Sequence, residues 1–287
     1  MAKSIFKNKL ARSAWGDMLL LLFLIFVGIV MLLPFIYTIS TSLKPMNELW
    51  LFPPRFLVQD PTLDNFRDLF QLMSDSWVPF SRYLFNTFFV TLVGTVGHIF
   101  VSALCAYPVS MYKFPGSKLY FKLVRTSLMF SASVTAIPSF IIMSNLQLLD
   151  TYWALILPAL GSSMGFFMMK QFMDQSVNKA ILESADIDGA NEWQKFTKLV
   201  MPMVKPAWLT LMIFQVQTLW HLGNSPYIYN EELKTLTYAM NQIQAAGIAR
   251  AGVAAAITVF MMGVPLLLFI VSQSNILETM SASGMKD

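Results

Sequence analysis

The sequence of 287 residues predicts an all-α membrane protein with six transmembrane helices and both termini in the cytoplasm. Apolar residues make up 56% of the chain and charged residues only 13%, whereas soluble domains carry roughly 25% charged residues. Six uncharged runs are each long enough for a helix to cross the hydrocarbon core of a bilayer. Lys and Arg concentrate in alternate loops between these runs. A soluble enzyme, a nucleic-acid-binding protein and a disordered chain are therefore poor fits.

The apolar runs are continuous, whereas the strands of a membrane barrel would alternate apolar and polar residues. A helix also satisfies its backbone hydrogen bonds within lipid. The first run is longer than the apolar core of a signal peptide, so we expect it to stay in the protein as a helix. The predicted spans are residues 18–41, 84–110, 126–148, 152–169, 206–226 and 251–274. They make one transmembrane domain over residues 18–277, between tails at 1–17 and 278–287.

The orientation follows from the basic residues of the loops. Fourteen of the twenty Lys and Arg residues lie in the two tails and in the loops after spans two and four. Basic residues accumulate on the cytoplasmic side of a membrane protein. Both tails and the loop at 171–205 are therefore predicted to be cytoplasmic, and the loop at 44–82 external.

The external segment 44–82 contains five prolines, which preclude one continuous helix. Its aromatic residues are enough to form a small cap or to lie at the membrane interface. A second uncharged stretch, residues 235–249, is short and polar, and we interpret it as external or interfacial. Spans three and four are predicted to form a tight hairpin around Asp150.

The loop at 171–205 predicts two short helices. The first is capped by Asn178 and ends at Gly189, where a left-handed conformation stops a helix. The second starts at Asn191, with Gln194 placed three residues later as in a capping box. The predicted apolar positions are Val177, Ala180, Ile181 and Ala185 in the first helix, and Trp193, Phe196, Leu199 and Val200 in the second. Helices this short are marginal alone, so they must dock on this chain, on another protein, or on both.

Few motifs of catalytic chemistry occur. No phosphate-binding P-loop and no zinc-protease motif is present, and one cysteine with two histidines argues against a metal site. The run Gly161–Gly165 matches the G-x-S-x-G pattern of hydrolases, with Ser163 as nucleophile and His221 as a conceivable base. We favour the alternative that the two glycines allow close packing of helices, and we predict no catalytic residue.

The six spans lack Asp, Glu, Lys and Arg, apart from residues at their edges, which argues against an ion-coupled transporter. Span five carries neutral polar and aromatic residues that suit an uncharged, polyhydroxylated solute. Gln217, Trp220, His221 and Asn224 have offsets of three, four and seven, which place them on one helical face. We predict that this face lines a translocation path, and the alternative is hydrogen bonding between helices.

The loop at 171–205 also carries a recognisable motif. Glu183-Ser184-Ala185, then Gly189, then Leu199-x-Met201-Pro202 resembles the E-A-A-x3-G-x9-I-x-L-P motif of ABC-importer permeases. The sequence departs from this motif by three mild substitutions, at Ser184, Leu199 and Met201, and the spacing of the motif is intact. Further segments along the chain, among them Lys113-Phe114-Pro115-Gly116, are similar to the shorter, MalG-like permease of the carbohydrate-uptake group. The family often has Trp-Asn-acidic late in span five, whereas Trp220 is followed here by His221 and Leu222.

This resemblance implies a type I ABC importer (MetI-like) permease fold in the inner membrane of a bacterium. It implies a transport subunit for a sugar or oligosaccharide that works with a second, non-identical permease, two ATPase subunits and an extracytoplasmic sugar-binding protein. ATP and Mg would bind the ATPases, and this chain would bind no cofactor. A non-sugar solute is the main alternative. The residues expected to couple to the ATPases are Glu183, Ser184, Ala185, Asp188, Gly189, Leu199 and Pro202.

Overall fold

The computed structural model describes residues 14–74, 77–245 and 250–283. These residues form helices joined by turns, and no β-strand occurs among them. Most of the predicted N-terminal tail and the last four residues lie outside the described part. The α-helices are α1 (Ala14–Ser42), α2 (Met46–Leu49), α3 (Asp64–Ser74), α4 (Phe80–Met111), α5 (Ser117–Ser127), α6 (Ala132–Asn145), α7 (Tyr152–Leu160), α8 (Ser163–Ser176), α9 (Lys179–Ile187), α10 (Glu192–Met203), α11 (Lys205–Trp220), α12 (Leu236–Gln244) and α13 (Ala251–Ser283).

The described residues divide into two compact units, 14–71 with 250–259, and 72–74 and 77–245 with 260–283. In the first unit, polar contacts organise the predicted external cap. The Asn65 amide donates to the carbonyl oxygens of Ser42 at 2.9 Å and Lys44 at 2.8 Å. Glu48 accepts a hydrogen bond from the backbone N–H of Gln59 at 2.9 Å. The aromatic ring of Phe52 is exposed, whereas that of Phe56 packs on Tyr37 with ring centroids 5.5 Å apart. Polar contacts and this aromatic pair both hold the segment.

In the second unit, α4 is the central helix and packs against α7, α8 and α11. One apolar cluster joins α4, α7 and the end of α11 through Val90, Ala154 and Leu219. A larger cluster joins α4 and α8 to the segment that follows α8. Its members include Ala103, Ala106, Phe166, Met169, Met173, Leu182, Phe196 and Val200.

Four helical segments of the described chain are long and apolar enough to cross a membrane: α1, α4, α7 with α8, and the start of α13. Two bent pairs also qualify when each is taken as one span. The angle is 111° between α5 and α6 and 77° between α10 and α11. The all-α membrane-type fold is therefore confirmed, whereas the count of six spans depends on how the bent pairs lie in the bilayer.

The prediction of one helix over residues 126–148 is wrong. The structure has α6 over Ala132–Asn145 only, preceded by α5, which carries three basic residues. The chain turns sharply at residues 128–131 between them. An uncharged run shows that residues can enter lipid, but it carries no information about the direction in which the chain continues.

Span four extends further than the predicted 152–169, because α8 continues to Ser176. Lys170 and Asp174 lie one turn apart and pair at 2.5 Å. This (i, i+4) ion pair stabilises the continuing helix, so the first charged residue does not mark its end. The helix is interrupted at Gly161 and Ser162, between α7 and α8.

Span five is shorter than the predicted 206–226, because α11 ends at Trp220. Two hydroxyl groups satisfy carbonyl groups at and beyond this end: Thr237 donates to Trp220 O, the last of the helix, at 2.6 Å, and Thr235 donates to Leu222 O in the following chain at 2.5 Å. Side chains thirteen and seventeen residues away thus replace the missing helical bonds. At the other end of the chain, α13 continues to Ser283 rather than ending at 274, and includes part of the predicted tail.

Candidate functional site

The helix α9 forms as the sequence predicts. The side chain of Asn178 accepts a hydrogen bond from the N–H of Ala180 at 3.0 Å, which caps the first turn. Gly189 has φ of 78°, and the next residue, Ala190, donates back to Ala185 O at 2.9 Å. Such a left-handed residue favours glycine and ends the helix. The prediction of a helix bounded by Asn178 and Gly189 is confirmed.

The face of α9 that the structure buries differs in part from the predicted one. Leu182 and Ala185 are buried, as is Val177 before the helix, whereas Ala180 and Ile181 are exposed. The predicted stripe is therefore wrong at two of its four positions, because Leu182 takes the place next to the cluster of α4 and α8.

The motif residues divide between the two sides of α9. Glu183, Ser184 and Asp188 are exposed, and Ile187 is 88% exposed beside them. Ala185 is buried within this chain, so it is not available to line a contact with another protein. The sequence analysis did not single out Ile187, whose exposure depends on the direction in which α9 packs.

The helix α10 begins with the predicted capping box. Asn191 accepts from the N–H of Gln194 at 2.9 Å, and Gln194 accepts from the N–H of Asn191 at 3.0 Å. Phe196 and Val200 are buried and Leu199 is partly buried against the same cluster, while Pro202 is exposed. Residues Lys195–Val200 follow a π-helical path. The helix pair, defined as α9 and α10, is thus packed on α4 and α8.

A buried lysine connects the helix pair to the end of α4. Lys195 is 2% exposed, and its ammonium lies 2.6 Å from Asp186 Oδ1 and 2.5 Å from Glu192 Oε1. It also donates to the hydroxyl of Tyr112 at 3.3 Å. Tyr107 and Tyr112 in turn donate to Glu192 Oε2 at 3.0 and 2.7 Å.

The charges of this cluster support one another. Hydrogen bonds to Asp186 and then Glu192 raise the pKa of Lys195 above its usual range, against the opposing effect of its burial. The hydrogen bond from Lys195, followed by that from Tyr112, lowers the pKa of Glu192. The sequence analysis missed these residues. Only the spacing of Glu192 and Lys195 was visible, because Asp186 is brought close by the turn at Gly189.

The predicted path residues of span five do not share one helical face. Because α11 ends at Trp220, His221 and Asn224 lie in irregular chain beyond it. The prediction that their sequence offsets place them on one helical face is therefore wrong for these two residues. Gln217 and His221 are exposed, whereas Trp220 is 1% exposed. The Trp220 ring packs against Phe88, with ring centroids 5.5 Å apart.

Asn224 borders a cavity of about 140 Å³ beyond the end of α11. Polar groups of Ser225, Lys234, Thr235 and Tyr238 also line it, with apolar residues beneath. Lys234 pairs with Glu231 at 2.7 Å and donates to the Tyr238 hydroxyl at 2.8 Å. A cavity of this volume holds a few water molecules rather than an oligosaccharide.

The G-x-S-x-G match lies where α7 ends and α8 begins, in a helical setting rather than on a strand-to-helix turn. The hydroxyl of Ser163 lies 2.6 Å from that of Ser127. A side chain at Gly165 would place its Cβ 2.5 Å from His98 Nε2, so this glycine permits close packing of α8 on α4. The packing interpretation is confirmed for Gly165. At Gly161 a Cβ would meet only carbonyl oxygens of its own helix, at 4.0 Å.

Among the described residues, no group of three or more His, Cys, Asp or Glu side chains could hold a metal ion. The helix pair is therefore the candidate functional site, since its motif residues are in part exposed while its buried side packs on α4 and α8.

Comparison with known proteins decides the family. Residues 99–280 match the model described as "Binding-protein-dependent transport system inner membrane component". The chain belongs to this family. The "Polygalacturonan/rhamnogalacturonan transport system permease protein YtcP" of Bacillus subtilis is 33% identical over 215 residues, which cover 74% of this permease and 72% of that protein.

Two crystal structures share the fold of this permease. One is a bacterial ABC transporter involved in the import of the acidic polysaccharide alginate, with a TM-score of 0.77, 22% identity, and coverage of 92% of this chain and 98% of that chain. The other is the bacterial alginate transporter in complex with an alginate pentasaccharide-bound periplasmic protein, with a TM-score of 0.62, 19% identity, and coverage of 91% and 96%. The predicted family, ABC-importer permeases, is confirmed, and the chain is a transport component rather than an enzyme.

Proposed function

We propose that this permease forms half of the translocation pathway of an ATP-driven importer of a sugar or oligosaccharide. The observation that carries the proposal is the division of α9 into two sides. Its exposed side bears Glu183 and Ile187, with the exposed Asp188 directly after the helix, and its buried side packs through Leu182 on the core of α4 and α8. A partner that binds the exposed side of α9 can therefore move the long helices that pack against its buried side.

The substrate class rests on the relatives. A permease of similar sequence is named for polygalacturonan and rhamnogalacturonan, and the transporter of similar fold imports alginate. Both names refer to polymers of sugars. The neutral polar groups of Gln217, His221 and Asn224 lie at or beyond the end of α11, where they suit contacts with hydroxyl groups of a passing sugar.

The partners follow from the same family. A second, non-identical permease would complete the pathway, two ATPase subunits would bind ATP and Mg and contact α9, and an extracytoplasmic sugar-binding protein would deliver the substrate. The fold neighbour in complex with a periplasmic protein supports the last of these. This chain carries no P-loop, so ATP hydrolysis belongs to the partners.

Six spans with both termini in the cytoplasm remain our topology, in the inner membrane of a bacterium. The 77° bend between α10 and α11 supports it, because it lets the helix pair lie along the membrane surface while α11 enters the bilayer. In this arrangement the exposed side of α9 faces the ATPases.

The packing of α9 provides a route by which movement of the ATPases reaches the transmembrane helices. As long as α9 keeps its angle to α10, a displacement of α9 by the closing ATPases presses on the close-packed cluster around Leu182, Phe196 and Val200. It therefore shifts the adjoining ends of α4 and α8 as a body. Such a rigid-body shift alternates the access of the pathway between the two sides of the membrane.

The direct test is transport by the purified complex in proteoliposomes, with its binding protein outside and ATP inside. The panel contains neutral oligosaccharides, uronate-containing oligosaccharides and an amino-acid mixture. We expect ATP-dependent uptake of at least one oligosaccharide. Uptake of amino acids alone would support the non-sugar alternative, and uptake without any ATPase subunit would refute the proposed mechanism.

A further inference from the structure

Lysine is almost never fully buried unless it is paired, yet Lys195 is 2% exposed at the base of the helix pair. Its ammonium group has three donors and meets three oxygen atoms, on Asp186, Glu192 and Tyr112. Since an unpaired buried charge is strongly destabilising, the ammonium group favours the arrangement in which the segments that carry these oxygen atoms lie together.

The oxygen atoms come from separate pieces of the chain. Asp186 is in the last turn of α9, Glu192 opens α10, and Tyr112 directly follows α4. Tyr107, in the last turns of α4, reaches the same Glu192 carboxylate at 3.0 Å. One charged cluster thus joins both members of the helix pair to the end of the central helix.

The link between α9 and α10 needs such a contact. α9 has nine residues, and helices of this length are marginal alone. The chain between α9 and α10 turns at Gly189, whose missing side chain leaves the backbone permissive. The ion pair of Lys195 and Asp186, at 2.6 Å, spans this turn.

We propose that Lys195 is a positioning residue that locks α9 to α10 and to the end of α4, so that movement of α9 reaches the transmembrane helices. This inference rests on the proposed function, because it assumes that an ATPase moves α9. Lys195 faces inward, away from the exposed side with Glu183 and Ile187, so its loss leaves the docking surface intact. Without the lock, α9 swings at Gly189 and ATP is hydrolysed without transport.

The test compares Lys195→Met, which keeps the length and apolar stem of the side chain, with Lys198→Met, which removes an exposed lysine from the next turn of the same helix. Asp186→Ala is a second variant, because Ala removes the oxygen that accepts the hydrogen bond from Lys195. Asp186 is 56% exposed, and its replacement leaves Lys195 bonded to Glu192 and Tyr112, so the fold is retained. The assembled complex is purified, and co-purified ATPase, ATP turnover and sugar uptake are measured in proteoliposomes.

We expect Lys195→Met and Asp186→Ala to retain the ATPase but to lower sugar transported per ATP by fivefold or more. Lys198→Met should stay within twofold of wild type. The double variant should be no worse than Lys195→Met, because both changes break one link. A wild-type transport ratio in Asp186→Ala, or losses in the double variant that equal the sum of the two single losses, would overturn the lock. Absence of ATPase from the wild-type complex would instead refute the proposed function.

Discussion

The indole nitrogen of Trp220 donates a hydrogen bond to the main-chain oxygen of Met261 at 2.9 Å. This contact ties the end of α11 to α13 across forty-one residues of sequence. A free carbonyl oxygen in the middle of a helix such as α13 is uncommon, and its use here fixes how the two helices meet. Trp220 therefore belongs to the packed interior of the permease rather than to the surface of a path.

Replacement of Trp220 tests that role. Trp220→Ala should reduce the thermal stability of the purified permease, since large-to-small changes at buried aromatic positions cost about 3–5 kcal/mol in soluble proteins. Trp220→Phe keeps most of the packing and should lose less. Gln217→Ala, an exposed position one turn earlier, is the matched control. The measurement is the melting midpoint in detergent by fluorescence-detected size exclusion, and an unchanged midpoint in Trp220→Ala would contradict the packing role.

The exposed side of α9 should hold the ATPase. Glu183→Ala removes a carboxylate that accepts charge-assisted hydrogen bonds, and Gly189→Val forces a branched side chain into φ of 78°, at a cost of about 1 kcal/mol or more. Either variant should reach the membrane but retain less ATPase on affinity purification, or hydrolyse ATP without uptake. Lys179→Ala, at the start of the same helix, serves as control. Wild-type retention and uptake in both variants would end this assignment.

The topology can be tested with single cysteines in a Cys105→Ser background. Asp64→Cys should react with a membrane-impermeant maleimide in intact cells, because residues 44–82 are predicted to be external. Asp188→Cys, at the end of α9, should react only after permeabilisation. Both positions are exposed, so burial does not confound the comparison. Labelling of both in intact cells would reject the six-span orientation.

Close packing of α8 on α4 depends on Gly165. Gly165→Ala should lower the yield and melting midpoint of the permease, because the added Cβ would lie 2.5 Å from the ring of His98. Gly161→Ala is the control, since its Cβ would have no neighbour nearer than 4.0 Å. Ser163→Ala should transport normally. Loss of transport with unchanged stability in Ser163→Ala would revive the hydrolase interpretation, and equal effects of the two glycine variants would remove the packing argument.

Sequence alone determined the helical membrane character, four of the apolar segments and the construction of the helix pair. These features depend on local physics. Continuous apolar runs cannot remain in water, Asn178 and Asn191 cap the turns that follow them, and Gly189 takes a conformation that other residues resist. The motif from Glu183 to Pro202 was identified by its resemblance to the motif of ABC-importer permeases, which lies within one short segment of sequence.

Only the tertiary structure decided where helices end and which sides are buried. At the end of α11, Thr237 from a later segment satisfies the carbonyl group of Trp220, and Thr235 satisfies that of Leu222 just beyond the helix. In the sequence, Lys195 is one of the basic residues of the loop at 171–205. In the structure, the turn at Gly189 places it between Asp186 and Glu192, where it is buried. Hydrogen bonds and ion pairs between distant residues depend on how the helices pack, so the hydrophobic periodicity of the sequence cannot predict them.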